Sequence, residues 1–492
     1  MKKSYLAFDL GAESGRAVLG EYDGSKLTIR DIHRFRNEPV VILGQMHWDI
    51  LHLFKEIKRG LSLAARECDR QLSGISCDAW GVDFGLVGKD NTLLGYPYHY
   101  RDSRTDGMLE EAFQRVGREE IFQRTGIQFM KINTLYQLLS LVVSQSPLLQ
   151  MSERLLMTAD LFHFFLTGRK VAEFTLATTS QVYDPRENNW SQPLLEKLGI
   201  PAHIMPEVVA PGTVVGELLP EIAREVDIAP LPVIASAGHD TASAVAAVPA
   251  QGDKWAFLSS GTWSLLGMEL PHPVISEKAL KYNLTNEGGV EGTFRLLKNI
   301  TGLWLVQECR RAWEKGGESL SYAELTRMAA KAKPFQAFID PDDEAFLNPA
   351  EMPLEISKFC RKTAQSFPED RGSIIRSILE SLAFKYRFIL EQLQELSGRR
   401  IETLHIIGGG TRNHLLCQFT ADATGIPVIA GPVEATAIGN ILMQAIARGD
   451  LSSLGEGREI VRRSFPLTTY QPENITVWEE NYHRFKKILA AN

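Results

Sequence analysis

Two aspartates stand where an apolar run gives way to a turn, a position that carries chemistry in many α/β proteins. Asp9 follows the run SYLAF and opens the string DLGAESGR. Its carboxylate could hold Mg²⁺, usually through water, beside a polyphosphate, or it could cap its own turn. Asp240, in the string GHDTASA, follows a second apolar run. It could be the N-cap of a helix, or a general base that takes the proton of a substrate hydroxyl, with His239 and Thr241 as its companions.

Two turns rich in glycine and serine, one in each half of the chain, could bind phosphate. The runs SYLAF and AVLGEY flank the first turn and KWAFL and SLLGME flank the second, so each turn is predicted to be the tip of a β-hairpin. Gly11, Gly15 and Gly261 would let a ligand approach the backbone, whose N–H groups form anion sites in such tips. Arg16 could pair with phosphate or with a neighbouring carboxylate. The matched pair suggests two similar domains that face one phosphate chain.

Three consecutive glycines, Gly408 to Gly410, follow another apolar run in the string LHIIGGGTRN. Consecutive glycines cost conformational entropy on folding, so a close approach to the backbone is expected there. The string lacks the Gly-Lys-Ser/Thr of a P-loop and the spacing of a dinucleotide fingerprint. A nucleobase and ribose lying against bare backbone fit the string, and a tight turn packed beneath a helix is the alternative.

The elements that must hold these residues alternate in type. Helices are predicted from Trp48 to about Arg70 and from Ser373 to Ser397, where apolar residues recur at helical spacing and Gly398 follows as a C′ glycine. A strand, a glycine turn and a helix succeed one another around the triple glycine, which predicts α/β architecture. The repeated hairpin indicates a duplicated domain.

Composition narrows the class of protein. A chain of 492 residues suits two or three domains, and its mild net charge of −7 argues against nucleic acid as a main partner. No apolar run approaches the length that spans a bilayer, and Asp9 and Glu13 interrupt the N-terminal stretch before it can resemble a signal peptide. The five cysteines lack C-x-x-C spacing, which is typical of free thiols in a reducing compartment. We therefore expect a cytoplasmic protein without a membrane partner.

Taken together, the motifs resemble those of the FGGY carbohydrate kinases, members of the actin-like ATPase superfamily, over nearly the whole chain. The strings that carry the resemblance are DLGAESGR, CDAWGVDF, YRDSRT, RTGIQF, NTLYQL, HDTASA, LSSGTWSL, TNEGG, LKNITGLWLVQ, LHIIGGGTRN and GPVEATAIGN. The resemblance implies an α/β fold of two duplicated actin-like (ribonuclease H-like) domains flanking a central cleft. Residues 1–247 would form the N-terminal domain, with the sugar site, the first hairpin and the catalytic aspartate. Residues 248–492 would form the C-terminal domain, with the second hairpin and the adenosine site.

The resemblance also implies roles for the matching positions. ATP would be the co-substrate, its phosphates flanked by the two hairpin tips and its adenosine lying against Gly409. Asp240 would accept the proton of the sugar hydroxyl, and Mg²⁺ would accompany ATP, with Asp9 holding it through water. The implied ATP-binding residues are Ala12, Glu13, Ser14, Gly15, Arg16, Thr262, Gln307 and Gly409, and the implied sugar-binding residues are Gly81, His239, Asp240, Thr241 and Asn299, with Asp83 and Arg101 as weaker candidates.

Within the family, the strings DAWGVDF and LKNITGLWL are most similar to the branch that phosphorylates L-rhamnulose at its 1-hydroxyl in L-rhamnose degradation. Most FGGY kinases have Thr or Ser where this chain has Ala12, so the phosphate contact there is expected from backbone N–H. Gly81 stands where other members have larger polar residues, which would change the shape of the pocket. The alternatives are a kinase for another ketose (fuculose, xylulose or ribulose), an actin-like ATPase acting as a chaperone or filament, and a sugar-responsive regulator. The sequence leaves monomer and dimer open.

Overall fold

The computed structural model describes residues 2–490, which divide into two compact units. The described residues of the first unit lie in Met1–Pro249, Glu269–Leu296 and Ala435–Ser464, and those of the second lie in Ala250–Met268, Leu297–Glu434 and Phe465–Asn492. Each unit therefore combines segments that are far apart in the chain. The division of the sequence into domains at residue 247 stays a prediction.

Strands and helices alternate along most of the chain. The strands are β1 Lys3–Leu10, β2 Ser14–Tyr22, β3 Leu27–Arg36, β4 Pro39–Ile42, β5 Gln45–Trp48, β6 Gly74–Ala79, β7 Phe84–Gly88, β8 Leu93–Leu94, β9 Ser152–Met157, β10 Val171–Glu173, β11 Tyr183–Asp184, β12 Asn189–Trp190, β13 Glu207–Val209, β14 Thr213–Glu217, β15 Pro232–Ala235, β16 Trp255–Ser260, β17 Trp263–Leu270, β18 Thr285–Gly288, β19 Phe294–Thr301, β20 Thr403–Ile407, β21 Val428–Ala430 and β22 Thr468–Tyr470. The α-helices are α1 Ile50–Glu67, α2 Met108–Arg115, α3 Arg118–Thr125, α4 Thr134–Val143, α5 Pro147–Met151, α6 Thr158–Thr167, α7 Phe174–Thr179, α8 Gln192–Leu198, α9 Pro220–Glu225, α10 Asp240–Ala246, α11 Glu277–Tyr282, α12 Trp304–Lys315, α13 Tyr322–Lys331, α14 Met352–Lys362, α15 Arg371–Ser397, α16 His414–Thr424, α17 Ala435–Ala447, α18 Leu454–Ser464 and α19 Ile475–Ala490.

The main sheet of the first unit has the strand order β14-β15-β6-β1-β2-β3. Strand β1 pairs antiparallel with β2 and parallel with β6, which is in turn parallel to β15. Helices α1 and α17 pack on this sheet, so nearly every residue in the central strands β1 and β6 is buried. The carboxyl ends of β1, β6 and β15 consequently share one edge.

The second large sheet has seven strands, with β18 at one edge, and the other six repeat this plan in the order β19-β17-β16-β20-β21-β22. Strand β16 pairs antiparallel with β17 and parallel with β20, and β21 is parallel to β20 and antiparallel to β22. Strand for strand, this order corresponds to β3-β2-β1-β6-β15-β14 of the first unit. The predicted pair of hairpins and the predicted duplication are both confirmed.

Two predicted helices are confirmed, although α1 is shorter at both ends than predicted and α15 begins two residues earlier, at Arg371. Helix α1 starts after Asp49, whose side chain accepts a hydrogen bond from the His52 backbone N–H. Helix α15 ends at Gly398, which has φ +67° as a left-handed C-terminal glycine requires. Among the helices within residues 2–490, none combines the length and the apolarity that crossing a bilayer requires. All five cysteines lie in the described part of the chain, and each is a free thiol.

Candidate active site

Three aspartates of the first unit lie at the carboxyl ends of neighbouring parallel strands, the edge at which ligands bind in open α/β sheets. Asp9 on β1 is the register partner of Asp78 on β6. At the end of β6, Ala79 forms a parallel bridge to His239, the residue before Asp240. The structure therefore brings the predicted Asp9 and Asp240 to one edge and adds Asp78 to them.

Asp9 forms an ion pair across the first hairpin. Its Oδ2 accepts hydrogen bonds from Arg16 Nε at 2.9 Å and from Arg16 Nη2 at 2.6 Å, and the two residues face each other in the β1–β2 register. Of the two partners that the sequence left open for Arg16, the structure thus shows the neighbouring carboxylate. The phosphate contact of Arg16 and the metal contact of Asp9 stay predictions.

Asp78 is a fully buried carboxyl group within an apolar strand. Its Oδ2 accepts a hydrogen bond from Asn440 Nδ2 at 2.6 Å, whereas its Oδ1 is buried without a hydrogen-bond partner. Burial raises the pKa of this carboxyl well above its ordinary value, and the charge of Asp9 raises it further. Two adjacent carboxyl groups with an unsatisfied oxygen fit a hard cation such as Mg²⁺. Within residues 2–490 no group of three or more His, Cys, Asp or Glu is arranged to ligate a metal.

Asp240 is the most accessible of the three carboxylates. Its side chain is 31% exposed, compared with 13% for Asp9. Helix α10 begins at Asp240 and its N-cap position is His239, so Asp240 is not the N-cap that was the alternative interpretation. Its Oδ1 accepts hydrogen bonds from Thr241 N at 2.5 Å and Thr241 Oγ1 at 3.1 Å. Burial raises the pKa of Asp240 and the neighbouring His239 partly offsets this, so the carboxylate is a stronger base than an ordinary aspartate.

A buried arginine orients His239 toward Asp240. Arg295 Nη2 lies 3.1 Å from His239 Nδ1, and Glu287 Oε2 lies 3.3 Å from the same nitrogen. The other ring nitrogen, Nε2, is 3.4 Å from Asp240 Oδ1. Arg295 is itself held by the Gly288 carbonyl, at 2.8 Å from Nε, and by Glu287 Oε2, at 3.3 Å from Nη2. Arg295 therefore holds the ring of His239, a predicted sugar-binding residue, through Nδ1, the nitrogen away from Asp240.

Gly81 lies just beyond β6 at the start of a strained turn. A Cβ at this position would lie 3.1–3.3 Å from side-chain atoms of Thr179, so a larger residue here would require Thr179 to shift. The next residue, Val82, has φ +67°, an outlier for a β-branched side chain. The Asp83 backbone N–H donates to the Gly81 carbonyl at 2.9 Å and closes a three-residue γ-turn. Strain of this kind concentrates at functional sites.

Asp83 is engaged within the protein. Its Oδ2 accepts hydrogen bonds from the indole N–H groups of Trp48 at 2.6 Å and Trp80 at 3.0 Å, and its Oδ1 accepts one from Gln137 Nε2 at 2.8 Å. Only 1% of the residue is exposed, and burial raises its pKa to about 6. This geometry favours a structural role for Asp83 over the weak prediction of a sugar contact. The other weak candidate, Arg101, stacks its guanidinium 5.5 Å from the centre of the Tyr100 ring.

The tip of the first hairpin is closed by its own backbone. Gly11 N–H donates to the Ser14 carbonyl at 2.9 Å, and the predicted phosphate contacts Ala12 and Glu13 lie between them. Gly15 has a packing reason of its own, because a Cβ there would lie 2.3 Å from the Phe35 ring. Packing inside the unit therefore requires a glycine here, and the phosphate contact of Gly15 stays a prediction.

The predicted nucleotide residues Thr262 and Gln307 lie in the second unit, where the second hairpin meets α12. The Thr262 carbonyl accepts hydrogen bonds from Gly302 N at 3.1 Å and Trp304 N at 3.2 Å, which fixes the tip against the start of the helix. Gln307 is in the first turn of α12, and its Oε1 is buried without a hydrogen-bond partner. An unsatisfied buried acceptor suits a ligand donor. Asn299 is half-buried on β19, the strand beside β17.

The three consecutive glycines differ in role: two fit the tight turn and one fits the nucleotide contact that the sequence left open. Gly410 packs against Ser260, whose Oγ would lie 2.0 Å from an added Cβ, and Gly408 has φ +82° with the Ser260 carbonyl 3.2 Å from an added Cβ. These two glycines are explained by a tight turn. Gly409 has no heavy atom within 4 Å of an added Cβ, so open space lies beside it. It is the glycine against which a nucleotide could lie.

Sequence reasoning missed the buried charged groups beneath the site. Asp78 and Arg295 are single charges inside the apolar runs GISCDA and FRLL, and Glu173 ends the short strand β10. Charged residues are almost never fully buried unless paired, so a lone charge in an apolar run was a usable signal. The spacing of these residues carried no information about which segments they join.

Comparison with known proteins identifies the family. Residues 4–247 match the N-terminal domain model of the FGGY family of carbohydrate kinases, and residues 256–448 match the C-terminal domain model. A rhamnulokinase from Bacteroides thetaiotaomicron is 46% identical over 489 residues, which cover 99% of this chain and all of that protein. A rhamnulokinase from Oceanobacillus iheyensis is 39% identical over 470 residues, with 96% of this chain and 98% of that protein covered.

Solved structures of sugar kinases share the fold. The ligand-bound xylulose kinase from Lactobacillus acidophilus has a TM-score of 0.83 at 16% identity, covering 99% of this chain and 98% of that one. The glycerol kinase of Plasmodium falciparum with ADP has a TM-score of 0.79 at 15% identity, with the same coverage. At these identities the likeness shows the fold alone, which is the predicted α/β fold with two actin-like domains. With both family models matched and relatives similar from end to end, this chain belongs to the FGGY family of carbohydrate kinases.

Proposed function

We propose that this kinase transfers the γ-phosphoryl group of ATP to the 1-hydroxyl of L-rhamnulose, giving L-rhamnulose 1-phosphate and ADP. The substrate is that of the relatives named rhamnulokinase, which are 39–46% identical over nearly the full chain. The observation that carries the chemistry is the half-buried carboxylate of Asp240 beside two more buried carboxyl groups at one sheet edge.

In the proposed reaction Asp240 is the catalytic base. The sugar O1–H donates to the Asp240 carboxylate, the O1–Pγ bond forms as the bond from Pγ to the ADP oxygen breaks, and the proton ends on Asp240. The transition state of phosphoryl transfer is loose, so the base mainly orients the hydroxyl and takes its proton late. A carboxylate with a raised pKa suits that task, since its affinity for the late proton is higher than that of an ordinary aspartate.

The remaining roles follow the same proposal. His239, Thr241, Gly81 and Asn299 would bind the sugar, and the tip residues 12–16 with Thr262, Gln307 and Gly409 would bind ATP. Asp9, and Asp78 behind it, would hold Mg²⁺ through water, and that ion would neutralise phosphate charge when bound. A cytoplasmic location, where ATP is supplied, is part of this proposal.

The direct test is an ADP-release assay of the purified chain with L-rhamnulose, L-fuculose and D-xylulose. We expect kcat/KM to be highest for L-rhamnulose, and ³¹P NMR to identify the product as the 1-phosphate. Equal rates with the three ketoses would leave a sugar kinase but exclude the narrow substrate. ADP release that does not depend on any sugar would favour an actin-like ATPase instead.

The base assignment has its own variant. Asp240→Asn keeps the size of the side chain but removes its basicity, so kcat should fall about 10²- to 10⁴-fold with ATP affinity nearly unchanged. Asp49→Asn is a matched control, because Asp49 only caps α1 and asparagine caps a helix equally well. Near wild-type turnover of Asp240→Asn would show that another group accepts the proton.

A further inference from the structure

The short helix α7 is buried among the segments that carry the predicted acceptor site, although none of its residues belongs to that site. It spans Phe174–Thr179 in the first unit, and Glu173 precedes it as N-cap. Three of its hydroxyl groups, those of Thr175, Thr178 and Thr179, are at most 4% exposed. Each of them accepts a hydrogen bond from the backbone of a different segment.

The first of these segments is the loop that leads into Asp240. Thr175 Oγ1 accepts the His239 backbone N–H at 3.1 Å and donates to Glu173 Oε2 at 2.5 Å. The same Glu173 Oε2 accepts the Gly238 N–H at 2.9 Å. Two successive peptide groups directly before the proposed base are therefore held by one end of α7.

The second segment is the strained γ-turn beside the predicted sugar contact. Thr179 Oγ1 donates to the Leu176 carbonyl at 2.8 Å and accepts the Val82 backbone N–H at 3.2 Å. Val82 is the residue with φ +67°. A positive φ at a β-branched residue persists only where surrounding contacts over-determine it, and this hydrogen bond is one of those contacts.

The third segment carries the support of His239. Thr178 Oγ1 accepts the Gly288 backbone N–H at 2.7 Å. The Gly288 carbonyl in turn accepts from Arg295 Nε, and Arg295 contacts His239 Nδ1. This side of α7 thus reaches His239 through a second route.

From these contacts we infer that Thr175 and Thr179 are positioning residues for the acceptor half of the reaction: Thr175 sets the backbone that carries the base, and Thr179 sets the turn that contacts the sugar. The inference rests on the proposed function for the roles of Asp240 and Gly81. Buried N–H groups that lose their acceptors shift to find new ones, so removing either hydroxyl displaces its segment. A small displacement of a reacting group lowers the rate strongly. Displacing the segment before Asp240 should affect the chemical step, whereas displacing the turn at Gly81 should affect sugar binding.

The test uses Thr→Val variants, which keep the shape of the side chain and remove the hydroxyl. We expect Thr175→Val to lower kcat about 10- to 100-fold with an unchanged KM for ATP, because the base is misaligned. We expect Thr179→Val to raise the KM for the ketose about tenfold while kcat stays within about threefold, because the sugar contact is displaced. The serine variants at both positions retain the hydroxyl and should restore each parameter.

Thr167→Val is the matched control. Thr167 is also a hydroxyl at the end of a helix of the first unit that donates to a helix carbonyl, at 2.8 Å, and accepts a backbone N–H, at 3.1 Å, but that N–H belongs to Arg169. Its kinetics should match the wild type. Kinetic parameters of Thr175→Val and Thr179→Val that equal those of Thr167→Val would overturn the inference. A uniform loss of activity with lower thermal stability and no rescue by serine would overturn it too, since that pattern marks a merely structural role.

Amide hydrogen exchange separates this inference from the proposed function. If the wild type phosphorylates no ketose, the proposed function fails, yet the peptide covering 236–241 still reports on Thr175. Faster exchange of that peptide in Thr175→Val than in Thr167→Val would support positioning through the His239 N–H. Equal exchange in the two variants would refute it.

Discussion

At the scale of single residues, the environment of Asp240 sets the pH at which the proposed base works. Its pKa is raised by burial and by the charge of Asp9, and lowered by His239. Below its pKa the carboxyl group is protonated and cannot accept the sugar proton, so kcat/KM should fall on the acid side at a pH above about 4, the ordinary value for aspartate. A pH profile of kcat/KM for the ketose measures this limb directly.

A second variant checks which neighbour controls that limb. His239→Gln removes the ring whose charge lowers the pKa of Asp240, so the acid limb should move to higher pH as well as weakening sugar binding. Tryptophan fluorescence over the same pH range establishes that the fold is intact. An acid limb that stays in place in His239→Gln would mean that a group other than Asp240 limits the rate.

Another buried residue, His163, couples protonation to stability. Burial lowers its pKa to about 4, and its Nε2 accepts the Cys77 backbone N–H on the strand that carries Asp78. Between pH 6.5 and 4 the unfolded chain binds a proton at this residue that the folded chain does not, so the free energy of unfolding falls as the pH drops. At pH 5 the loss is about 2 kcal/mol.

The variant His163→Gln keeps an acceptor for Cys77 and removes the titration. The Tm of the variant minus the Tm of the wild type should therefore be larger at pH 5 than at pH 7.5, whatever that difference is at pH 7.5. An equal difference in Tm between variant and wild type at the two pH values would show that His163 titrates normally in the folded state.

The site residues that could be predicted from the sequence all belong to a recognisable local pattern. Asp9 and Asp240 follow apolar runs, and the structure shows that they lie at the same sheet edge. No role could be assigned to Asp78, Arg295 and Glu173 from the sequence. Each forms a hydrogen bond with a residue more than 50 positions away, such as Asn440 for Asp78. Non-local pairing of buried charges has no local signature.

At the scale of elements, the three consecutive glycines differ in what requires them. Gly408 and Gly410 are required by packing against Ser260, whereas no neighbouring atom in the unit requires a glycine at Gly409. Gly410→Ala would place a Cβ 2.0 Å from Ser260 Oγ, so we expect a destabilisation of about 1–3 kcal/mol. Gly409→Ala meets no heavy atom within 4 Å and should leave thermal stability unchanged. If the proposed nucleotide contact is right, the same change raises the KM for ATP.

These two variants are each other's control in differential scanning calorimetry and in ATP titrations. A stable Gly410→Ala would contradict the packing role of that glycine, and an unaltered KM for ATP in Gly409→Ala would remove Gly409 from the nucleotide site.

The strand, turn and helix around the three glycines could be predicted from the sequence. Which glycine does what depended on Ser260, which lies on a strand that is distant in the sequence.

At the scale of the whole molecule, the duplication visible in the sequence as two hairpins extends to six strands of each large sheet, and β18 is an additional edge strand of the second sheet. The linear sequence does not reveal how the units share the chain. Residues 435–464 belong to the first unit although they follow most of the second. Helix α17 of this segment packs on β1, β6 and α10, and its Asn440 and Gln444 donate to Asp78 and to the Leu6 carbonyl.

This arrangement predicts that a change in α17 weakens the first unit. At Gly439 the helix passes so close to α10 that an added Cβ would lie 1.7 Å from the Ser243 carbonyl oxygen. Gly439→Ala should therefore force α17 and α10 apart and cost about 1–3 kcal/mol or more. Hydrogen exchange of the full chain should then show faster exchange in β1, β6 and α10, with β16, β20 and α15 of the second unit unchanged.

The control is Gly455→Ala, in the same returning segment, where the nearest atom to an added Cβ is Ser453 Oγ at 3.8 Å. It should leave exchange unchanged in both units, because alanine fits there and favours a helix. Loss of protection confined to β20 and α15 in Gly439→Ala would place α17 with the second unit in solution. Loss confined to the first unit would establish that the chain returns after residue 434 to complete the unit that carries Asp240.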